Sequence, residues 1–313
     1  MHDAYNDLIK GIIRYQQGKI NNPGRTVMEF EEHEASALYM PSADTSENKS
    51  ATKVVTIFPK NPLVNKPTTQ GVILLSDASN GEHISIMNAS YLTRLRTGAL
   101  SAIGTNKMAR QDAKVLGVIG TGAMAFEQVL GVLEVRSIER IVLYNPTEAK
   151  AHAFKERLFN FGVELPIEIV QTSDDILAES DIINCSTRSN EPVFNGELLR
   201  EGTHVNGVGS FLPHMREVDL ETINKADYIV VDDLESVKEE AGELIYAAAE
   251  TDWSFEKVHG ELADLEMNDD LIRTNDNEIT FFKSVGTAYF DLIVGSGIYN
   301  KALKLNVGQN IEI

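Results

Sequence analysis

Lys114-Val-Leu-Gly-Val-Ile-Gly120-Thr-Gly122-Ala-Met-Ala125 reads as a buried parallel strand that runs into a GxGxxA turn and then into a helix. Gly120 lets the chain reverse tightly, Gly122 lets the backbone approach a pyrophosphate, and Ala125 is small enough for the helix to pack on the strand. Apolar residues Val115, Leu116, Val118 and Ile119 precede the turn, and a helical run from Phe126 to Glu134 follows it. That context is what turns a glycine pattern into a dinucleotide site, with the N–H groups and partial positive charge of the helix start facing the phosphates. The bland alternative is a tight strand-to-helix turn with no ligand.

From residue 114 onward apolar strands alternate with amphipathic helices, the pattern of a parallel sheet covered on both faces. The strands fall at 114–120, 140–145, 167–171, 181–186, 202–208 and 227–232, with a last one at Ile279–Lys283. Helices fill most gaps, at 122–134 and 147–161, and Ser173-Asp-Asp-Ile is a capped start to a third. Upstream, the strands Lys53–Phe58, Gly71–Asp77 and His83–Asn88 follow one another, with Asn80-Gly81 as a turn and Pro59, Pro62 and Pro67 marking a loop. Helical patterns cover 90–107 and 287–305. The expected fold is α/β: a doubly wound parallel sheet of the Rossmann type over 112–286, and an α+β domain over 1–111 completed by the C-terminal segment 287–313.

The chain has 313 residues, 42% hydrophobic and 24% charged, and a formal net charge of −19. Such a charge repels nucleic acid phosphates and anionic membranes. No apolar run approaches the length of a membrane span, and the single cysteine, Cys185, rules out an internal disulfide. The seven histidines lack ligand spacing, so the expectation is a cytoplasmic protein without a metal.

Two charges fall on apolar faces. On the helix at 90–107, Leu92, Leu95, Ala99, Ala102 and Ile103 share an arc with Arg96 at its edge, while Arg94 projects to the solvated side. A guanidinium there needs an anion, either a carboxylate ligand or an acidic residue of the same domain, and the pattern supports both equally. Lys53 alternates with Val55 and Ile57. It could be a proton donor with a lowered pKa, but the pattern alone favours a lysine that snorkels to the sheet edge.

In doubly wound sheets ligands sit at the carboxyl ends of the strands, here Ser186-Thr187 and Gly207-Val208-Gly209-Ser210. Asn145 ends the strand after the fingerprint, where an enzyme using NAD(H) normally offers Asp or Glu to the ribose. A neutral Asn145, with Thr147 at the helix start, would not repel a 2′-phosphate, which is a slight lean toward NADP(H) over NAD(H). The candidate cofactor contacts from these patterns are Gly120, Thr121, Gly122, Ala123, Met124, Asn145, Thr147, Ser186, Thr187, Val208 and Gly209.

Leu92-Thr-Arg-Leu-Arg96-Thr97-Gly-Ala-Leu-Ser-Ala102, followed by Val118-Ile-Gly120-Thr-Gly122, resembles the ornithine cyclodeaminase and mu-crystallin family. The match continues through Gly202-Thr-His-Val-Asn206-Gly-Val-Gly209-Ser210, Val231-Asp232-Asp233 and Ser284-Val-Gly286. The resemblance implies a homodimer, a Rossmann domain, further cofactor contacts at Thr97 and Gly286, and carboxylate-binding arginines and an active-site lysine falling on Arg25, Arg96 and Lys53. Most members begin with an extra strand before the helix that starts here near His2. Ornithine cyclodeaminases carry an aspartate where this chain has Ser210, and a neutral hydroxyl cannot pair with the ammonium of ornithine.

The reading that follows is an NAD(P)H-dependent reductase of small cyclic imino acids such as Δ1-pyrroline-2-carboxylate. Arg25, Lys53 and Arg96 would bind substrate, and Lys53 and Ser210 would serve the imine nitrogen. The alternatives are ornithine cyclodeaminase and a non-catalytic, crystallin-like dinucleotide binder.

Overall fold

The computed structural model describes residues 1–267 and 273–311. The chain forms two compact units, the first from Asn6–Arg96 with Thr287–Ile313, the second from Met1–Tyr5 with Thr97–Gly286. The sequence division at 111/112 follows the start of the first parallel strand, whereas the compact units part inside a helix. Downstream of Arg96 that helix packs within the second unit, where a Cβ on Gly98 would lie 2.2 Å from Glu127 O and one on Gly104 2.9 Å from the Phe282 ring.

The first unit holds most of helix α1 (His2–Gln16) and a sheet of six antiparallel strands: β1 (Ile20–Asn21), β2 (Thr26–Phe30), β3 (Ala35–Asp44), β4 (Lys49–Ile57), β5 (Thr69–Asp77) and β6 (His83–Asn88). Their order is β1-β3-β4-β5-β6, with β2 also paired to β3, and helix α2 (Ala89–Met108) follows β6 directly. Strands β1 to β3 carry no clear period. β2 is exposed along its whole length, and β3 is built largely from small residues and contains Pro41. On one sheet face Met40, Lys53 and Ile73 lie in register and are buried. On the other, Tyr39, Val54 and Val72 lie in register, with Tyr39 and Val72 exposed.

The second unit is the doubly wound sheet expected from the fingerprint. Its elements are β7 (Val115–Ile119), α3 (Ala125–Val135), β8 (Arg140–Tyr144), α4 (Glu148–Phe161), β9 (Ile167–Ile169), α5 (Ser173–Leu177), β10 (Ile182–Cys185), β11 (His204–Gly207), α6 (Leu220–Lys225), β12 (Tyr228–Val231), α7 (Leu234–Glu240), α8 (Gly242–Glu250), β13 (Gly260–Glu261), α9 (Leu262–Met267) and β14 (Thr280–Lys283). All pairs are parallel, in the order β13-β12-β14-β11-β10-β7-β8-β9. Alternation along β8 separates the two cores: Ile141 and Leu143 pack with Phe126, Val129 and Leu158, while Val142 packs with Ile176, Val205 and Leu244. The cap of α5 is Thr172 rather than Ser173, in a capping box with Asp175.

Helix α10 (Ala288–Leu305) returns to the first unit and packs against β3, β4 and β5. Its residues Ala288 to Gly295 are all buried, Asp291 among them. Among the described residues no helix is long and apolar enough to cross a membrane.

Candidate active site

Lys53 does not snorkel. It lies in the interior of β4 at 3% exposure, and its Nζ donates to Asp291 Oδ2 of α10 at 2.5 Å. Arg96, at 5% exposure on α2, donates from Nε to Asp291 Oδ1 at 3.3 Å. One buried carboxylate thus serves two buried cations, so the cluster keeps a net positive charge. Burial pushes the Lys53 ammonium down to about 8; Asp291 opposes that shift, and the charges of Arg96 and Arg25 add to it. Arg25, half-buried before β2, is therefore in the same electrostatic neighbourhood. Arg94 is half-buried rather than solvated, its Nη1 donating to Ser90 O at 3.3 Å.

In the second unit the GxGxxA turn has the properties that a pyrophosphate requires. Gly120 takes φ +88°, open only to glycine at low cost, and a Cβ there would lie 2.6 Å from Thr187 Cγ2. Around Gly122, its two chain neighbours apart, no heavy atom of the described residues lies within 4 Å of where a Cβ would be, so the backbone is open to a ligand. Thr121 Oγ1 is buried and has no hydrogen-bond partner among the described residues. Among the described residues Met124, the N-cap of α3, makes no side-chain capping bond, and the positive end of the helix dipole lies at this turn. The exposed Ala123 completes the turn. These features fit a dinucleotide. Asn145 braces the turn: its Oδ1 accepts from Thr121 N at 3.2 Å and its Nδ2 donates to Thr147 O at 3.0 Å.

Buried carboxylates hold the loops at the carboxyl ends of the parallel strands. Ser186 Oγ donates to Gly120 O at 3.1 Å, tying the end of β10 to the fingerprint. Glu217 accepts from Thr187 N at 2.5 Å, Thr187 Oγ1 at 2.9 Å, Gly209 N at 2.7 Å and Ser210 N at 3.2 Å. Asp232 accepts from Ser284 Oγ and Gly286 N, each at 2.7 Å. Val208 is buried beside Gly209, and Thr97 is buried on α2. Ser210 differs from the sequence expectation of a hydroxyl offered to substrate. It is fully buried, its Oγ donates to Glu243 Oε1 at 2.8 Å, and it accepts from Lys283 Nζ at 2.6 Å. A substrate contact would require that hydroxyl to exchange partners.

Sequence reasoning missed Asp291, Glu217, Glu243, Lys283 and the role of Asp232. Two of these leave the signal that marked Lys53, a charge inside an apolar run: Lys283 follows Phe281-Phe282, and Asp291 sits between Phe290 and Leu292. Glu217 leaves no periodic signal because it lies in an irregular loop between β11 and α6.

The description "Ornithine cyclodeaminase/mu-crystallin family" belongs to a family model that matches residues 1–306. The chain belongs to that family. Among its relatives, a Δ(1)-pyrroline-2-carboxylate reductase of Bacillus cereus is 40% identical over 291 residues, covering 93% of this chain and 89% of that one. The Thermococcus litoralis Δ(1)-pyrroline-2-carboxylate reductase in complex with NADH and L-proline superposes with a TM-score of 0.94 at 36% identity, covering 98% of this chain and 95% of the other. An archaeal alanine dehydrogenase dimer with bound NAD gives 0.91 at 31%, covering 100% of this chain and 94% of that one.

Proposed function

We propose that this family member is a nicotinamide-dependent oxidoreductase that reduces small cyclic imino acids, with Δ1-pyrroline-2-carboxylate giving proline as the type reaction. The observation that carries the reading is the buried Lys53–Asp291–Arg96 cluster, a positively charged site inside a chain of net charge −19. Such a site is costly unless an anion completes it, and a substrate carboxylate is that anion. The names of the relatives at 40% and 36% identity support the same chemistry.

Arg96 and Arg25 hold the carboxylate, which fixes the ring and aligns its C=N carbon. Reduction adds a hydride to that carbon and a proton to the nitrogen. Lys53, titrating near 8, holds the proton destined for the imine nitrogen. Asp291 keeps Lys53 pointed and charged. Gly120, Thr121, Gly122, Ala123 and Met124 hold the pyrophosphate, while Asn145 and Thr147 face the adenosine ribose. Thr97, Ser186, Thr187, Val208, Gly209 and Gly286 hold the nicotinamide half, and Ser210 positions its loop. When bound, the nicotinamide supplies the hydride. The neutral Asn145 keeps the lean toward NADP(H), alongside relatives described with NADH and NAD. A cytoplasmic homodimer completes the reading, supported by the single cysteine and by the dimeric alanine dehydrogenase.

The test is oxidation of NADH and NADPH with five- and six-membered cyclic imino acids, run beside ammonia release from ornithine. Imine-dependent cofactor oxidation without ammonia release supports the reading. Ammonia from ornithine with no net cofactor consumption points instead to cyclodeamination, and tight cofactor binding without turnover to a binder. Lys53→Met should lower kcat by about 100-fold or more while the circular dichroism spectrum is unchanged. Unchanged kcat in that variant overturns the role of Lys53.

A further inference from the structure

Glu217, Glu243 and Lys283 form one fully buried group beneath the ends of β11 and β14. Lys283 Nζ donates to Ser210 O and Ser210 Oγ, both at 2.6 Å, and lies 2.9 Å from Glu243 Oε1, so its three protons are committed. Glu243 takes up that charge. Among the described residues the hydrogen bonds to Glu217 come from neutral N–H or O–H groups of Thr187, Gly209 and Ser210; burial raises its pKa, and Lys283, whose own contacts go to Ser210 and Glu243, opposes that shift only through space. Each of these contacts is a donor, which is the pattern of an ionised carboxylate. By formal count two carboxyl groups face one amine, an excess of one acidic group buried where a charge is little screened. The field extends to the end of β10, where the Cys185 thiol is pushed well up by burial first and then by Glu217 and Glu243, with Lys283 offsetting only part.

The loops that Glu217 holds are the ones assigned to the nicotinamide half of the cofactor, and this inference rests on that reading. The nicotinamide ring is cationic when oxidised and neutral when reduced. We infer that Glu217 is a positioning residue that also acts through its charge. It sets the geometry of the loops after β10 and β11, and its charge favours the oxidised, cationic ring over the reduced one. A bound cofactor is thereby a stronger hydride donor than the free one.

The readout is a ratio of dissociation constants, measured by titrating the purified protein separately with NAD+ and NADH. Glu217→Gln keeps the side-chain size and removes the charge. The Kd for NAD+ should rise about tenfold more than the Kd for NADH, a difference of about 1.4 kcal/mol. Glu217→Asp should keep the wild-type ratio even where both affinities weaken. Glu243→Gln removes the same unit of charge without touching Thr187 or Gly209, so it tests the charge if Glu217→Gln does not fold, and its ratio should move the same way. Equal weakening of both forms in the Gln variants, or an unchanged ratio, overturns the electrostatic role while leaving the proposed function standing. The same titrations are run with NADP+ and NADPH, and wild-type protein that binds none of the four overturns the function and this inference together.

Discussion

Lys53 shows how neighbouring charges decide what one side chain can do. Burial alone would drive its pKa lower than about 8; Asp291 holds it up, and Arg96 and Arg25 press it down. If the protonated lysine is the donor, kcat/KM is level below about pH 8 and falls above it, as the ammonium is lost. Replacing Asp291 by Asn removes the influence that raises the pKa, so the alkaline limb of the kcat/KM profile should move to lower pH. A pH–rate profile of Asp291→Asn whose limb stays put or moves up would show that Lys53 is not the titrating group. Asn145 makes a second prediction at this scale. A carboxylate in its place would repel a 2′-phosphate and accept from ribose hydroxyls, so Asn145→Asp should shift the ratio of kcat/KM values toward NADH by about tenfold, roughly 1.4 kcal/mol. A ratio that does not move would place the discrimination elsewhere.

At the scale of elements, α2 and α3 meet at backbone contact through a pair of glycines. A Cβ on Gly131 would lie 2.1 Å from Gly98 O, and one on Gly98 2.2 Å from Glu127 O. Both opposing atoms are main chain, so the helices themselves would have to separate, moving the amino end of α3 that fits a pyrophosphate. Gly131→Ala should lower stability in urea by about 1–3 kcal/mol or more and weaken NADH binding as well. Unaltered stability would mean that the crossing is slack. Such a crossing is invisible in the sequence, where Gly98 and Gly131 look like any other helical glycine. The strands of the second unit were legible because burial on both faces makes each a continuous apolar run, as in Val115–Ile119 and Ile182–Cys185. β2 and β3 were not, since neither carries a clean alternation. The site was half legible for a related reason. A buried cation such as Lys53 stands out against its apolar neighbours, but its partner Asp291 is 238 positions away in sequence, and only the return of α10 onto β4 pairs them.

The whole molecule must reconcile a large negative charge with the homodimer proposed above. Each chain carries −19, so two copies repel one another at long range, and that repulsion is screened as salt rises. The sheet of the first unit has one face covered by α10, and the other presents uncharged side chains: Tyr39, Val54 and Val72 in register, and Leu74 opposite Ile86 on the neighbouring pair. With Val72 at 48% exposure and Ile86 at 54%, this face suits a second copy. Added salt should therefore tighten the dimer, since it weakens the repulsion and leaves apolar burial intact. Val72→Glu combined with Ile86→Glu should give a monomer in sedimentation equilibrium at micromolar concentration. Wild-type protein that stays monomeric at every salt concentration would remove the dimer from the reading. The ionic clusters come from a single chain, Lys53, Arg96 and Asp291 in one unit and Glu217, Glu243 and Lys283 in the other. The monomeric variant should therefore still bind NADH, and a loss of binding in step with dissociation would mean that the second copy completes the site.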